Sequence, residues 1–311
     1  SAETVADVAA AVAEVAGGLN RYPDREFTDL RKALVTYLED RSGVSLRPEQ
    51  VWAGNGSNEV LSHLVQAFGG PDRTALGFTP AYSMHPIISE TLGTTWVDGQ
   101  RDSDSFDLTV ESAVEQARRV DPHLVFLCSP NNPSGSVLQL EDWKEIFDLQ
   151  DKYGFVIASD ECYSEIYFDG NKPIGGLQAA AQLGRGTRNI IMFTSLSKRS
   201  NVPGLRSGFV AGDAELLKNF LLYRTYHGSA MSIPVQRASI AAWNDEEHVI
   251  DNRRLYQEKF DHVIPILQQA FDVKLPDASF YIWLKVPDGD DLAFAKNLWQ
   301  KAAIQVLPGR F

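Results

Sequence analysis

The chain has 311 residues, of which 44% are apolar and 23% charged, so it can bury the core of one large or two ordinary domains. Its net charge of −12 argues against a nucleic-acid surface, which requires clustered lysine and arginine, and no apolar run is long enough to span a membrane. Only Cys128 and Cys162 are present and the histidines show no zinc-binding spacing, so we expect no disulfide framework, no metal site and a location in the reducing cytoplasm.

The first part of the chain predicts two helices and then a strand–turn–helix unit. Val5, Val8, Val12 and Val15 recur at spacings of three and four, the spacing of an amphipathic helix. Apolar residues between positions 30 and 38 predict a second helix, and a short apolar strand at 51–53 leads through a glycine turn into a third.

Strands and helices alternate over the rest of the chain. Apolar runs bounded by polar residues predict strands at 51–53, 74–78, 94–97, 123–128, 155–158, 189–193, 208–211 and 280–286. Helical spacing predicts helices ending near 91, at 109–120 and 140–153, throughout 214–271, and from 291 onward. The alternation predicts an α/β fold, in which helices sandwich a mainly parallel sheet and a smaller α+β domain follows.

A lysine follows one of these strands directly. Lys198 lies just after the apolar run 189–193, close to Ser195 and Ser197 and eight residues before Arg206. Ligands of α/β sheets bind at the carboxyl ends of strands, so an amine, two hydroxyls and a guanidinium here suit an anionic ligand that carries an aldehyde. A solvated basic loop is the alternative interpretation of the same residues.

A glycine turn offers a second anion site. Gly54 and Gly56 separate a strand from a helix that begins with Ser57 and Asn58, so backbone N–H groups can face an anion there. The pattern is not the dinucleotide-binding fingerprint, because Glu59 stands where the third glycine belongs. A simple tight turn is equally compatible with these residues.

Other polar and aromatic residues also lie near strand ends. Asp160 follows a strand and could hold a proton on a heteroaromatic nitrogen, with Tyr163 beside the same ring, or it could cap a helix. Asn132 is either an amide donor or a turn former, and Tyr82 could stack on a flat ring or pack in the core. Tyr22 could be a ligand-binding residue or part of an exposed turn.

Together these segments resemble those of fold-type I pyridoxal-phosphate enzymes, specifically the class I and II aminotransferases. The matching motifs are Asn132 to Gly135, Asp160-x-x-Tyr163, and Ser195-x-Ser-Lys198 with Arg206 eight residues later. The resemblance covers essentially the whole chain and implies an enzyme that transfers amino groups.

The resemblance also implies a role for each residue. Lys198 would bond the cofactor aldehyde and then move a proton, with a pKa lowered by that bond and by the Arg206 cation. Asp160 would keep the pyridine nitrogen protonated, Tyr163 and Asn132 would bond the ring oxygen, and Tyr82 would stack on the ring. The residues expected to hold the phosphate are Ser57, Asn58, Ser195, Ser197 and Arg206, together with Tyr22 of a neighbouring subunit in a homodimer.

Two branches of the family are visible. Residues 1 to about 138 resemble histidinol-phosphate aminotransferases, and residues from about 129 to 311 resemble succinyldiaminopimelate aminotransferases, which suggests a hybrid chain. We expect glutamate/2-oxoglutarate as one substrate pair and N-succinyl-diaminopimelate as the other amino substrate, as in lysine biosynthesis. The alternatives are histidinol phosphate, as in histidine biosynthesis, and a cofactor-binding module without turnover.

The resemblance finally suggests a domain division. Residues 18–245 would form the large cofactor-binding domain, and residues 1–17 with 246–311 a smaller one. Against the family both ends look incomplete, because an N-terminal arm and the arginine that binds the substrate carboxylate are not evident. Arg310 belongs to the loop before that arginine and is not assigned its role.

Overall fold

A computed structural model describes residues 2–310, apart from the side chains of residues 2–5 and 110, and places one sheet at the centre of the molecule. The strands are β1 (Val51–Gly54), β2 (Thr74–Thr79), β3 (Thr95–Gln100), β4 (Leu124–Cys128), β5 (Val156–Asp160), β6 (Ile190–Ser195) and β7 (Gly208–Gly212). Each lies within four residues of its predicted position.

The sheet is mixed but mainly parallel. Its strand order is β1-β7-β6-β5-β4-β2-β3, and the pairs from β6 to β3 are all parallel. Strand β7 runs antiparallel to both of its neighbours, β1 and β6. The central strands are buried along their length, as expected for a sheet covered on both faces. The predicted α/β sandwich is confirmed.

Helices connect and cover the strands. They are α1 (Ala2–Val15), α2 (Thr28–Ser42), α3 (Ser57–Phe68), α4 (Met84–Thr91), α5 (Val110–Val120), α6 (Leu140–Tyr153), α7 (Gly176–Gln182), α8 (Leu196–Arg199), α9 (Ala214–His227), α10 (Ile233–Asn244), α11 (Glu247–Leu267) and α12 (Asp291–Ala302). Helix α6 shows why they form. Its buried residues Trp143 and Phe147 are one turn apart and stack at 5.6 Å, and Gly154 ends the helix with φ 78°. None of the helices in residues 2–310 has the length and apolar composition needed to cross a bilayer.

The apolar core has two parts. The larger part fills the space around the sheet, and a smaller cluster joins Tyr163, Ile166 and Phe168 to Phe260 and Ile264 on α11. Helix α1 packs along α10, with Val8 against the larger part. The proposed division into residues 18–245 and the two terminal segments stays a prediction.

Two local expectations were wrong, and one helix was missed. Residues 280–286 do not form a strand, because no described backbone forms a ladder of hydrogen bonds with them. Helix α7 was not predicted, since its first helical residue, Gly176, disfavours a helix. Lys198 lies on the single helical turn of α8 rather than in a loop.

Candidate active site

Several strands end at one edge of the sheet and bring their flanking residues together. Strands β4 and β5 end in register at Cys128 and Asp160, and Asp160 in turn pairs with Phe193 of β6. Strand β7 runs the other way and begins at Gly208, opposite Ser195 at the end of β6. This edge therefore collects the segments that hold nearly all the predicted site residues.

Asp160 is buried at the end of β5, and the protein binds both of its carboxylate oxygens. Oδ1 accepts the backbone N–H of Cys162 at 3.1 Å, and Oδ2 lies 3.0 Å from Nε2 of His85. Because a carboxylate only accepts hydrogen bonds, His85 is assigned the Nε2–H tautomer. The acid is thus fixed in orientation, with lone pairs left for a further donor.

His85 is a site residue that the sequence interpretation missed. Its buried ring stacks on Phe126 with centroids 5.1 Å apart and meets Tyr82 edge to face at 5.5 Å. Its contact with Asp160 joins residues 75 positions apart. The only local signal was a histidine three residues after Tyr82, in the segment that follows a strand end.

The Tyr163 hydroxyl lies in a small polar cluster. Asn132 Nδ2 donates to it at 3.4 Å, and it lies 3.4 Å from the hydroxyl of Tyr281. Burial raises the pKa of Tyr163 above its ordinary value, so the hydroxyl stays protonated and can donate. The predicted pair of Tyr163 and Asn132 is brought together, and Tyr281 is an addition.

The Lys198 amine lies against aromatic rings. Nζ is 4.7 Å from the ring centroid of Phe280 and 5.6 Å from that of Tyr163, and no described carboxylate forms an ion pair with it. Burial lowers the pKa of Lys198, and nearby Cys162 opposes the shift. Desolvation is therefore the leading cause, rather than the Arg206 cation that the sequence interpretation invoked.

The glycine turn and Arg206 form one cradle. Gly56 has φ 93°, and a Cβ built on it would overlap the guanidinium of Arg206. A Cβ on Gly208 would lie 2.9 Å from the backbone nitrogen of Ser57, so this approach also requires glycine. The exposed guanidinium bonds the carbonyl of Pro203 at 3.0 Å and has no described carboxylate partner. Its remaining donors are available to an anion.

The remaining predicted ligands also lie near this cradle. Tyr82 donates to Asn58 Oδ1 at 3.2 Å, so the predicted stacking residue and a predicted phosphate ligand are in contact. Ser195 is buried and its hydroxyl lies 3.9 Å from the Cys162 sulfur, whereas Ser197 is half-buried. Cys162 thus joins the cradle to Asp160 through its backbone N–H.

Two residues named from the sequence lie outside this group. Tyr22 is 99% exposed and makes no described side-chain hydrogen bond. Arg310 donates its backbone N–H to Asp291 at 2.9 Å and pairs with that carboxylate at the start of α12.

The donor set fits pyridoxal 5'-phosphate. An amine of lowered pKa suits its aldehyde, a buried carboxylate suits its protonated ring nitrogen, and a tyrosine with an amide suits its ring oxygen. The side-chain-free cradle at Gly56, with a helix N-terminus and Arg206 beside it, suits its phosphate.

Comparison with known proteins supports the same family. The model for aminotransferase class I and II matches residues 1–311. Histidinol-phosphate aminotransferase of Paenarthrobacter aurescens (strain TC1) is 41% identical over 247 residues, 79% of this chain and 63% of that protein. That of Mycolicibacterium smegmatis is 40% identical over 298 residues, 96% of this chain and 74% of that protein. The chain spans less than two thirds of the first of these relatives.

Solved structures match the whole fold. An aminotransferase from Neisseria meningitidis Z2491 is 61% identical, with a TM-score of 0.91 over 97% of this chain and 78% of that one. N-Succinyldiaminopimelate aminotransferase from Mycobacterium tuberculosis has a TM-score of 0.88 over 97% of this chain and 80% of that one, at 23% identity, which speaks only for the fold.

These matches run across the predicted boundary near residue 138. A single protein with 61% identity over 97% of the chain makes a hybrid origin unnecessary. The family match, the relatives and the site agree, and we conclude that the chain belongs to the class I and II aminotransferases, a family of pyridoxal-phosphate-dependent transferases.

Proposed function

We propose that the protein is an aminotransferase that moves an amino group between glutamate/2-oxoglutarate and histidinol phosphate. The observation that carries the reaction type is the Lys198 amine, desolvated beside Phe280 and Tyr163 at the edge where Asp160 is also buried. Near neutral pH, an amine of lowered pKa is unprotonated for more of the time than a free lysine, so it acts more readily as a nucleophile and as a proton acceptor.

In this proposal the chain's residues divide the work at the ring. When bound, pyridoxal phosphate supplies an electron-withdrawing ring that stabilises negative charge on the substrate carbon. Asp160 would accept the N–H of that ring and so keep it protonated, while His85 holds the carboxylate in place. Tyr163 and Asn132 would donate to the ring oxygen, and Tyr82 would stack on the ring.

Lys198 would move the proton. With the cofactor bound, its amine would accept the proton that leaves the substrate carbon bearing the nitrogen and would then donate it on the cofactor side of that nitrogen. This transfer requires an amine that is neutral for part of the time, and burial supplies that condition by lowering the pKa.

The anion cradle would hold the phosphate. Arg206 offers paired donors, Ser57 offers its backbone N–H and hydroxyl at the start of α3, and Asn58, Ser195 and Ser197 add polar groups nearby. In a homodimer, Tyr22 would reach the phosphate of the neighbouring subunit, a role supported by its complete exposure. Size-exclusion chromatography with light scattering tests for the dimer.

Relatives support histidinol phosphate as the substrate. The curated relatives named above are histidinol-phosphate aminotransferases, 40–41% identical over most of the chain. We therefore prefer the substrate that the sequence interpretation ranked second. N-Succinyl-diaminopimelate remains the second candidate, because segments 159–168, 197–206 and 226–231 resemble enzymes that use it.

A paired assay separates the candidates. One preparation is incubated with 2-oxoglutarate and either histidinol phosphate or N-succinyl-diaminopimelate, and glutamate is measured. The proposal expects kcat/KM to be about 100-fold higher or more for histidinol phosphate, a margin that a site matched to one substrate's polar groups provides. The reverse preference assigns the second candidate. A coloured protein inert toward both and toward glutamate would be a binding module without turnover.

A further inference from the structure

Behind Lys198, a buried chain of polar side chains connects α8 to the start of α11. Arg199 Nη1 lies 3.2 Å from Ser200 Oγ, Ser200 Oγ lies 2.8 Å from His248 Nε2, and His248 Nδ1 lies 2.7 Å from Asp245 Oδ2. Arg199, Ser200 and His248 are all buried. No role in the proposed reaction has been assigned to any of them.

Burial and the hydrogen bonds together favour one proton arrangement. A carboxylate can only accept, so the Nδ1–H of His248 donates to Asp245. Burial lowers the pKa of His248 and so favours the neutral ring, in which Nε2 accepts the hydrogen of the Ser200 hydroxyl. The polar atoms that link these residues are thus paired with one another, which favours a single geometry, although Arg199 Nε has no described partner.

The order serine, histidine, aspartate is also that of hydrolase triads, but the Ser200 hydroxyl cannot act as a nucleophile. It is buried, and Arg199 occupies one of its lone pairs. A reacting carbonyl would have no access to it. The geometry favours a structural use instead.

The turn that bears the lysine depends on these contacts. Helix α8 has four residues, too few to be stable by itself. The Arg199 guanidinium lies over the rings of Tyr37 and Trp243, at 4.9 and 4.8 Å from their centroids, and donates to the carbonyl of Ala242 at 2.7 Å. Asn252 of α11 donates to the carbonyl of Lys198 at 3.5 Å.

We propose that Ser200, His248 and Asp245 are positioning residues, which fix the turn of Lys198 against α11 and so hold its amine in the active site. This role rests on the proposed function of Lys198. None of the three residues touches the reacting atoms.

Two measurements on the holoenzyme test it. Amide hydrogen exchange of the segment 189–205 measures how often the turn that bears Lys198 opens. Hydroxylamine removes the visible cofactor absorption, and the rate of this loss measures how firmly Lys198 is held at the cofactor. We expect Ser200→Ala and His248→Ala to accelerate both by about three- to tenfold, which corresponds to the loss of one buried hydrogen bond.

One further substitution removes an acceptor, and another serves as a control. In Asp245 one carboxylate oxygen accepts from His248 and the other from the backbone N–H of Glu247, so Asp245→Asn, which has a single acceptor oxygen, should accelerate both rates about as much as Ser200→Ala does. Val249→Ala removes a buried side chain next to His248 and should lower the melting temperature without changing either rate.

The proposal is overturned if Ser200→Ala leaves the exchange of 189–205 at the wild-type rate, or if Val249→Ala changes both rates as much as Ser200→Ala does. If the wild type binds no pyridoxal phosphate, the proposed function fails. The exchange comparison still decides whether these residues hold the turn.

Discussion

The two ends of the candidate site are built differently. At the ring end, Asp160, His85 and Tyr163 are buried and bound to other protein groups. At the anion end, Arg206 is exposed and most of its donors have no described protein partner. The ring end is therefore arranged before a ligand arrives, whereas the anion end gains its main partner from the ligand. We infer that the ring end determines turnover and the anion end determines affinity.

Removing the amine should have the largest effect. Lys198→Ala deletes the group that is proposed to bond the aldehyde and move the proton, so we expect the visible absorption of the bound cofactor to disappear and amino transfer to fall by about 10⁴-fold or more. Absorbance measures the bound cofactor, and a glutamate-release assay measures amino transfer. Turnover within tenfold of the wild type would refute the assignment.

Changing the acid at the ring end should separate turnover from affinity. We expect Asp160→Ala to lower kcat by about 10²- to 10³-fold, because an unprotonated ring stabilises charge poorly, while the cofactor affinity changes by less than about tenfold. Fluorescence titration of the cofactor-free protein measures the affinity. Unchanged kcat would contradict the electron-sink role of this acid.

The anion end should show the opposite pattern. Arg206→Ala is expected to weaken cofactor binding by about 10- to 100-fold, the cost of a charge-assisted pair of hydrogen bonds. With saturating cofactor, kcat should remain within about threefold of the wild type. Arg206→Lys keeps the positive charge but loses the paired guanidinium donors, so its cofactor affinity should lie between those of the wild type and Arg206→Ala. If Arg206→Ala lowers kcat by a larger factor than it lowers cofactor affinity, the inferred division between a ring end for turnover and an anion end for affinity is wrong.

The Tyr163 hydroxyl should contribute less than Asp160. Both of its hydrogen bonds are 3.4 Å long, near the limit for such contacts. Tyr163→Phe is therefore expected to lower kcat by about tenfold or less, with little change in melting temperature. Tyr281→Phe tests whether the second hydroxyl matters, and a loss of about 10³-fold for either variant would require a role in proton transfer.

A buried acid beneath the ring end predicts a pH-dependent stability. Burial raises the pKa of Glu161 to about 7 from an ordinary value of 4.5, so between these values the native state binds more protons than the unfolded state. The free energy of unfolding should fall as pH rises through this range, by up to about 3 kcal/mol. Glu161→Gln copies the protonated carboxyl and keeps the bond from the Gly176 N–H. Urea unfolding of both proteins at pH 5 and pH 8 should show the drop only in the wild type.

Much of the fold and of the site could be predicted from the sequence, because both depend on local patterns. Apolar runs such as 123–128 identified the central strands, and the segments around Lys198, Asp160 and Gly56 placed the chemistry at strand ends. In each of these segments a strand, a turn and a polar side chain lie within a few residues of one another, so a local pattern is enough to identify them.

The contacts between distant segments could not be predicted in this way. His85 on α4 meets Asp160 at the end of β5, and Arg199 lies over Tyr37 and Trp243, which are remote in sequence. Likewise, the cause of the lowered pKa of Lys198 is burial, which depends on how Phe280 packs over it. The apolar run at 280–286 suggested a strand, but a strand requires a neighbouring backbone that no local pattern supplies.

The covalent role of Lys198 can be measured by fixing the cofactor with borohydride and locating it by peptide mass spectrometry. Since a modified Lys198 resists trypsin, the account predicts one labelled peptide that spans residues 189–199 and none in Lys198→Ala. Label on a different lysine, or a wild-type protein that takes up no label, would contradict it.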